Sequence, residues 1–239
     1  MTLETPSVDL IVAHHEEDLK WLRRVPTCVT CRVYHKGSHT DDGQALPNVG
    51  REAHTYLHHI VHHYDTLADR NIFCQGRPFD HVPEFHRLVG MTSTPALDTW
   101  PFLWLGFVMD WDDSTGSRLF QTWSKNPERR PLPMQTFWPA LWQDAMPQRF
   151  LFFPGAHFIV TREQVHTRPR SFYRQALDLC TTIPDSEHCF ERCWARIFNA
   201  PEVDRWAGNH TLPIYFRPIS RLKIGWDDVA HIPGHPLYG

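Results

Sequence analysis

The chain has 239 residues, enough for one generous domain with a sizeable core. A formal net charge of −3 with histidine neutral excludes a surface that is basic throughout, and with it a general DNA binder, while leaving room for a local basic patch. No apolar run reaches the roughly 18 residues of a membrane helix, and the polar, acidic start lacks the apolar centre of a signal peptide, so the sequence predicts a cytoplasmic protein without a membrane partner.

In chain order, the apolar run 8–13 reads as a buried first strand, followed by an acidic turn and a short helix over 19–24. Residues 31–34 read as a second strand and 36–48 as a polar loop. Residues 51–67 form the clearest helix, because Ala53, Tyr56, Leu57, Ile60, Val61 and Tyr64 recur at 3.6-residue spacing. A short strand over 71–74 ends at Gln75-Gly76-Arg77-Pro78. Strand, helix and strand in this order predict parallel pairing within an α/β domain, its sheet mixed but mainly parallel and flanked by helices.

Residues 92–148 are rich in Pro, Trp and Phe, too apolar for a disordered linker, and read as an ordered insertion. Strands over 149–153 and 157–160 flank Pro154-Gly155, and helices follow over 162–168, 171–180 and 187–198. The Pro- and Gly-punctuated tail, 201–239, is expected to wrap a single domain that spans 1–239.

Several clusters have chemistry available to them. Gly50 precedes the helix start, Glu52 sits in its first turn where the dipole favours a carboxylate, Asn48 can cap it, and Arg51 is placed to hold an anion beside the backbone amides. His54/His58 and His59/His63 are i,i+4 pairs on the same helix, a spacing that suits metal as well as ordinary packing. Asp80 and His81 follow the third strand, where open parallel sheets meet their ligands. Asp110, Asp112 and Asp113 repel one another unless they meet a cation, whether Mg²⁺, Lys or a guanidinium. Glu191, near the start of a late helix, is a candidate general base. His157, beside Pro154-Gly155, joins Glu17 among the substrate-binding candidates. Arg118, Lys125, Arg129, Arg130 and Arg149 lie among Phe120, Trp123, Phe137 and Trp138, a pattern that suits an RNA backbone and unpaired bases. Cys28/Cys31 and Cys189/Cys193 are either small buried side chains or, less simply, zinc ligands. There is no Walker loop, Rossmann fingerprint or nucleophile elbow.

The blocks "LIVAHHEEDLKWL", "LPNVGREAHTYLHHI", "IFCQGRPFDH", "FFPGAHFIVTREQVHTRP" and "CFERCWARIF" occur in this order over residues 8–198. Together they resemble a mostly fungal family grouped with GT-A glycosyltransferases. The first block departs from the pattern: the family's usual Ala-Arg-Tyr-Asn-Glu is Ala13-His14-His15-Glu16-Glu17 here, with only Glu17 of the polar set kept. Within that family, a branch of similar size is formed by arginine-containing cyclodipeptide synthases. The resemblance implies a GT-A-like fold and synthesis of a cyclo-Arg-Xaa diketopiperazine from arginyl-tRNA and a second aminoacyl-tRNA, in secondary metabolism and with no certain cofactor. In that scheme Asp80 or Asp110 holds the arginine guanidinium, Glu191 with His81 or His54 moves the proton, and the basic residues of 92–148 meet the tRNA. The alternative is a glycosyltransferase in which Asp80, Asp110 and Asp112 hold Mg²⁺ or Mn²⁺.

Overall fold

The computed structural model describes residues 6–37, 44–92, 100–200, 208, 210–232 and 238, and they form one α/β unit. Its centre is β1 (Val8–His14), buried along its whole length. Burial on both faces is why its sequence is an apolar run and not an alternation. β2 (Val29–His35) and β4 (Arg70–Gln75) flank it in parallel, and the two-residue β3 (Gln44–Ala45) extends the edge, also in parallel. Beyond β4 the direction reverses: β8 (Phe158–Thr161) is antiparallel to β4 and to β5 (Phe102–Trp104). The sheet order is β3-β2-β1-β4-β8-β5, a mixed six-stranded sheet. A second, antiparallel sheet has the order β7-β6-β9, from β6 (Val108–Asp112), β7 (Phe150–Phe152) and β9 (Ile214–Tyr215).

α1 (Arg51–His63) buries Ala53, Tyr56, Leu57, Ile60 and Val61 and packs against β1, α5 (Arg170–Thr182) and α6 (Ser186–Ile197). The shorter helices are α2 (Phe85–Met91), α3 (Met134–Leu141) and α4 (Arg162–Val165). Tyr56, Phe73, Phe158, Trp194 and Phe198 meet in an aromatic core between α1, α6 and the main sheet.

Three sequence expectations change. The stretch 92–148 is not a single insertion. It supplies β5 to the edge of the main sheet, then β6 and α3, while its residues 93–99 lie outside the described set. The helix predicted over 19–24 is a 3-10 turn, Lys20–Arg24, and the one predicted to run to 67 is α-helical to His63, with Tyr64–Thr66 tightening to 3-10. Of the tail, Ile214–Tyr215 pairs with β6; residues 201–207, 209, 233–237 and 239 lie outside the described set, as do 38–43 of the polar loop.

The parallel half gathers the carboxyl ends of β1, β2 and β4 on one edge, beside the N-terminus of α1. The chain moves to opposite sides of β1 on leaving it and on returning through β4, and such a switch point opens a crevice.

Candidate functional site

Two adjoining cavities occupy that crevice. The larger holds about 390 Å³ and is lined from five directions: Arg51 and Glu52 of α1, Gln75 at the end of β4 with His81 beyond it, the segment around Leu119 and Trp123, Phe152, Pro154 and Gly155 at the end of β7, and His188, Glu191 and Arg192 of α6. The smaller, about 160 Å³, is lined by the ends of β1 and β2, including His14, Glu17 and Lys36, with Asn48. Arg51, Glu52 and Gln75 line both.

The turn that delivers Arg51 and Glu52 has an unusual backbone. Gly50 has φ +56° and Arg51 φ +45°, so two consecutive residues are left-handed. Such a conformation suits glycine and strains arginine by about 1 kcal/mol or more. Lys36 spans the turn: its buried ammonium donates to the carbonyls of Val49 and Arg51. Burial pushes the Lys36 pKa down to about 8, against the pull of nearby groups including Glu52. Gly50 is itself the N-cap, with no side-chain cap bond; Asn48 lines the smaller cavity.

Glu52 is half-buried, and among the described residues no cation pairs with its carboxylate. Burial raises its pKa, Arg51 pulls the other way, and the Glu191 charge adds to the rise. Glu191 is the opposite case. Burial pushes its carboxyl up, but His188, the Arg192 guanidinium and the Gly155 amide outweigh burial and hold it at about 2. Gly155 N–H donates to Glu191 Oε1 at 2.7 Å, and Arg192 Nη1 lies 3.2 Å from Oε2. So satisfied a carboxylate is a poor proton acceptor at neutral pH. Its geometry suits orientation of its neighbours better than the base role expected of it.

His81 lines the larger cavity; burial lowers its pKa, so its ring is neutral at pH 7. His188, which the sequence reading did not single out, lines the same cavity with Nδ1 3.9 Å from Glu191 Oε2 and its ring against Phe120 and Trp123, centroids 4.9 Å away in each case. Its position one turn before Glu191 was the available signal. Lys36 gave none, because its burial depends on carbonyls 13 and 15 residues away.

Other expected site residues lie elsewhere. Asp80 is exposed, 3.7 Å from Arg77, and lines neither cavity, although His81 next to it lines the larger. Asp110 and Asp112 have found their cations within the chain. Arg118 bonds Asp110, and Arg192 bonds Asp112, which also accepts the amides of Arg118, Leu119 and Phe120. Both aspartates are thus paired within the chain, and Arg118 Nη1 is engaged by Asp110 and the Trp111 carbonyl. His157 is fully buried, and neither ring nitrogen finds a partner among the described residues. Burial pushes its pKa down to about 3, and it contributes packing behind His81, ring centroids 5.9 Å apart. His54 is buried as well and lines neither cavity.

Of the remaining basic candidates, Arg130 pairs with Asp185 and Arg149 stacks over Trp111. Arg129 is exposed at φ +52°. Lys125 sits at the rim: its Nζ lies 5.7 Å from the Trp123 ring centre, and Arg51 Cζ lies 5.4 Å from the same ring. Cys28 and Cys31 are exposed whereas Cys189 and Cys193 are buried, so the pairs do not meet. Among the described residues, no three His, Cys, Asp or Glu side chains gather as a metal-ligand set.

A family model described as a protein of unknown function, DUF3431, matches residues 10–211, most of the chain. The chain belongs to this family. Every residue lining the two cavities falls within the DUF3431 span. No curated protein matches the chain, and no solved structure does. No helix among the described residues of this DUF3431 protein is long and apolar enough to cross a membrane.

Proposed function

We propose that this DUF3431 protein is an arginine-containing cyclodipeptide synthase that draws on arginyl-tRNA and a second aminoacyl-tRNA in the cytosol. The observation that carries the reading is Glu52: a half-buried carboxylate in no ion pair among the described residues, with Arg51 beside it, facing a cavity of about 390 Å³. A guanidinium satisfies such a group through two parallel, charge-assisted hydrogen bonds. Glu52 therefore takes the arginine-binding role for which Asp80 and Asp110 were the earlier candidates.

The chemistry asks little of the protein beyond placement, because an aminoacyl ester is already activated. The α-amine of one aminoacyl group attacks the ester carbonyl of the other. An amide C–N bond forms, the C–O bond to tRNA breaks, and the terminal ribose hydroxyl leaves with the proton the amine gives up. The free amine of the dipeptidyl ester then repeats the exchange on the second carbonyl, which closes the ring and frees the second tRNA. In this reading His81 carries the proton, and Glu191 orients His188 and the Gly155 turn around it. Arg51 and Lys125 near the Trp123 ring give the rim the basic and aromatic character that an unpaired tRNA end favours.

A GT-A-like core is part of the same proposal, supported by the parallel half-sheet and its crevice. The metal-dependent glycosyltransferase reading fits less well, because Asp110 and Asp112 are committed to Arg118 and Arg192. The deciding experiment supplies the purified protein with arginyl-tRNA and the other aminoacyl-tRNAs and reads products by mass spectrometry. Absence of any arginine diketopiperazine would overturn the reading.

A further inference from the structure

We infer that the exposed turn of the tail, residues 219–226, is a docking surface for the acceptor end of a tRNA. The inference takes its ligand from the cyclodipeptide reading and adds a second place where the RNA is gripped. Among the described residues the exposed large apolar side chains are Leu222 and Trp226, at 49% and 79%, and both stand in this turn. The exposed cations Arg221 and Lys223 stand beside them, in no ion pair among the described residues. The turn is built. Two backbone bonds between Ile219 and Ile224, at 3.0 and 3.2 Å, close its tip, and Tyr215 pairs with Val229 across its base. Lys223 is held at φ +56°, a conformation that persists only where surrounding bonds fix it. The Asp228 carboxylate is used inside the turn, accepting the Gly225 amide at 2.9 Å, while Asp227 stays exposed.

The turn also stands close to the site, although it lies beyond the DUF3431 span. Phe216 stacks on Phe153, two residues before Gly155, with ring centres 5.5 Å apart. Arg217 bonds Glu84, three residues after His81. Burial lowers the His81 pKa, and the Arg221 charge adds to the lowering, which sets that guanidinium within electrostatic reach of the ring. His81 and Gly155 line a different part of the larger cavity from Arg51 and Trp123. The crevice therefore has cations and an indole at two separate parts of its edge, and the proposed reaction consumes two tRNAs. An exposed indole stacks an unpaired base of any identity, and cations beside it meet the phosphates. An anionic membrane fits less well, because two apolar side chains beside an exposed carboxylate bury little in lipid.

The test compares the parent protein with Trp226→Ala, Trp226→Phe and the double variant Arg221→Ala with Lys223→Ala. Labelled, deacylated tRNA is titrated by fluorescence anisotropy at several salt concentrations, and product formation is followed with arginyl-tRNA varied. Trp226→Ala and the double variant are expected to bind tRNA at least about fivefold more weakly, the worth of one stacked base or two phosphate contacts. The double variant should also flatten the salt dependence, by about one to two in logarithmic slope. Trp226→Phe should restore most of the stacking. The KM for arginyl-tRNA should rise with kcat kept, and thermal melts should match the parent because these side chains are exposed. Parental tRNA affinity, salt slope and KM in both alanine variants would overturn the inference and leave the cyclodipeptide reading standing. So would variants that keep tRNA binding but lose self-association, or lose binding to phosphatidylserine vesicles. No arginine diketopiperazine from any of these proteins would defeat the cyclodipeptide reading, while tRNA binding that depends on Trp226 would uphold the docking surface by itself.

Discussion

Arg192 Nη2 lies 2.8 Å from Asp112 Oδ2, with the two side chains 3% and 0% exposed. The pair ties α6, which carries His188 and Glu191, to the end of β6. Removing one member leaves the other charged in a dry site, which costs about 3–5 kcal/mol. Asp112→Ala is therefore expected to lower the urea midpoint sharply. Asp112→Asn, which keeps an acceptor for the Arg118, Leu119 and Phe120 amides, should lose less than Asp112→Ala. Equal midpoints for Asp112→Ala and the parent chain would show that the pair does not hold α6.

Glu52→Gln keeps the shape of the side chain and removes its charge. Under the proposed reaction, arginyl-tRNA should bind less well by at least about tenfold, the worth of a hydrogen bond to a charged group. The melting temperature should stay level or rise, because burial already disfavours the Glu52 carboxylate in the folded state. Kinetics with arginyl-tRNA varied, beside a thermal melt, separates the two effects. Unchanged kinetics would remove Glu52 from substrate binding.

Acid should destabilise the fold early. Burial pushes His54 and His58 down to about 4, and His59 and His63 are lowered for the same reason. Below about pH 6.5 the unfolded chain takes up protons that the folded chain refuses, so stability present at neutral pH is lost as pH falls towards 4. Denaturant midpoints measured from pH 7 to pH 4 are expected to fall steadily. A flat profile across that range would contradict the burial of these rings.

Gly155→Ala should injure the site more than the fold. Gly155 has φ +101°, and a Cβ there would stand 2.6 Å from the His81 ring. The ring must move, and with it the group assigned to carry the proton. Turnover is expected to fall by at least about tenfold, with a stability loss of about 1–3 kcal/mol. Wild-type turnover by this variant would show that the position of His81 is unimportant.

The fold was legible where one physical signal dominates. β1 is buried on both faces and reads as an apolar run, and α1 repeats its core residues every 3.6 positions. β5 and β6 were hidden because short strands in a stretch apolar on every side show no alternation. α3 was hidden by Pro139, which sits near its end. At the site, three closely spaced aspartates were visible as a cluster that needs cations. Their partners were not visible, since Arg192 is 80 residues from Asp112 in the chain. Asp80 and His81 were read together as one feature, but neighbouring residues leaving a 3-10 turn face different ways, and only His81 reaches the cavity.

The left-handed Arg51 separates durability from use in this molecule. A glycine would fit the φ of +45° without strain, so at this position the most comfortable residue for the backbone is not the one present. What arginine adds is a guanidinium shared by both cavities and set beside Trp123. Lys36 helps hold the turn in that shape from beneath. A laboratory search for hardier versions of this chain would therefore tend to replace one of the residues that the two chambers share, and its gains in ruggedness would come from dismantling that shared wall.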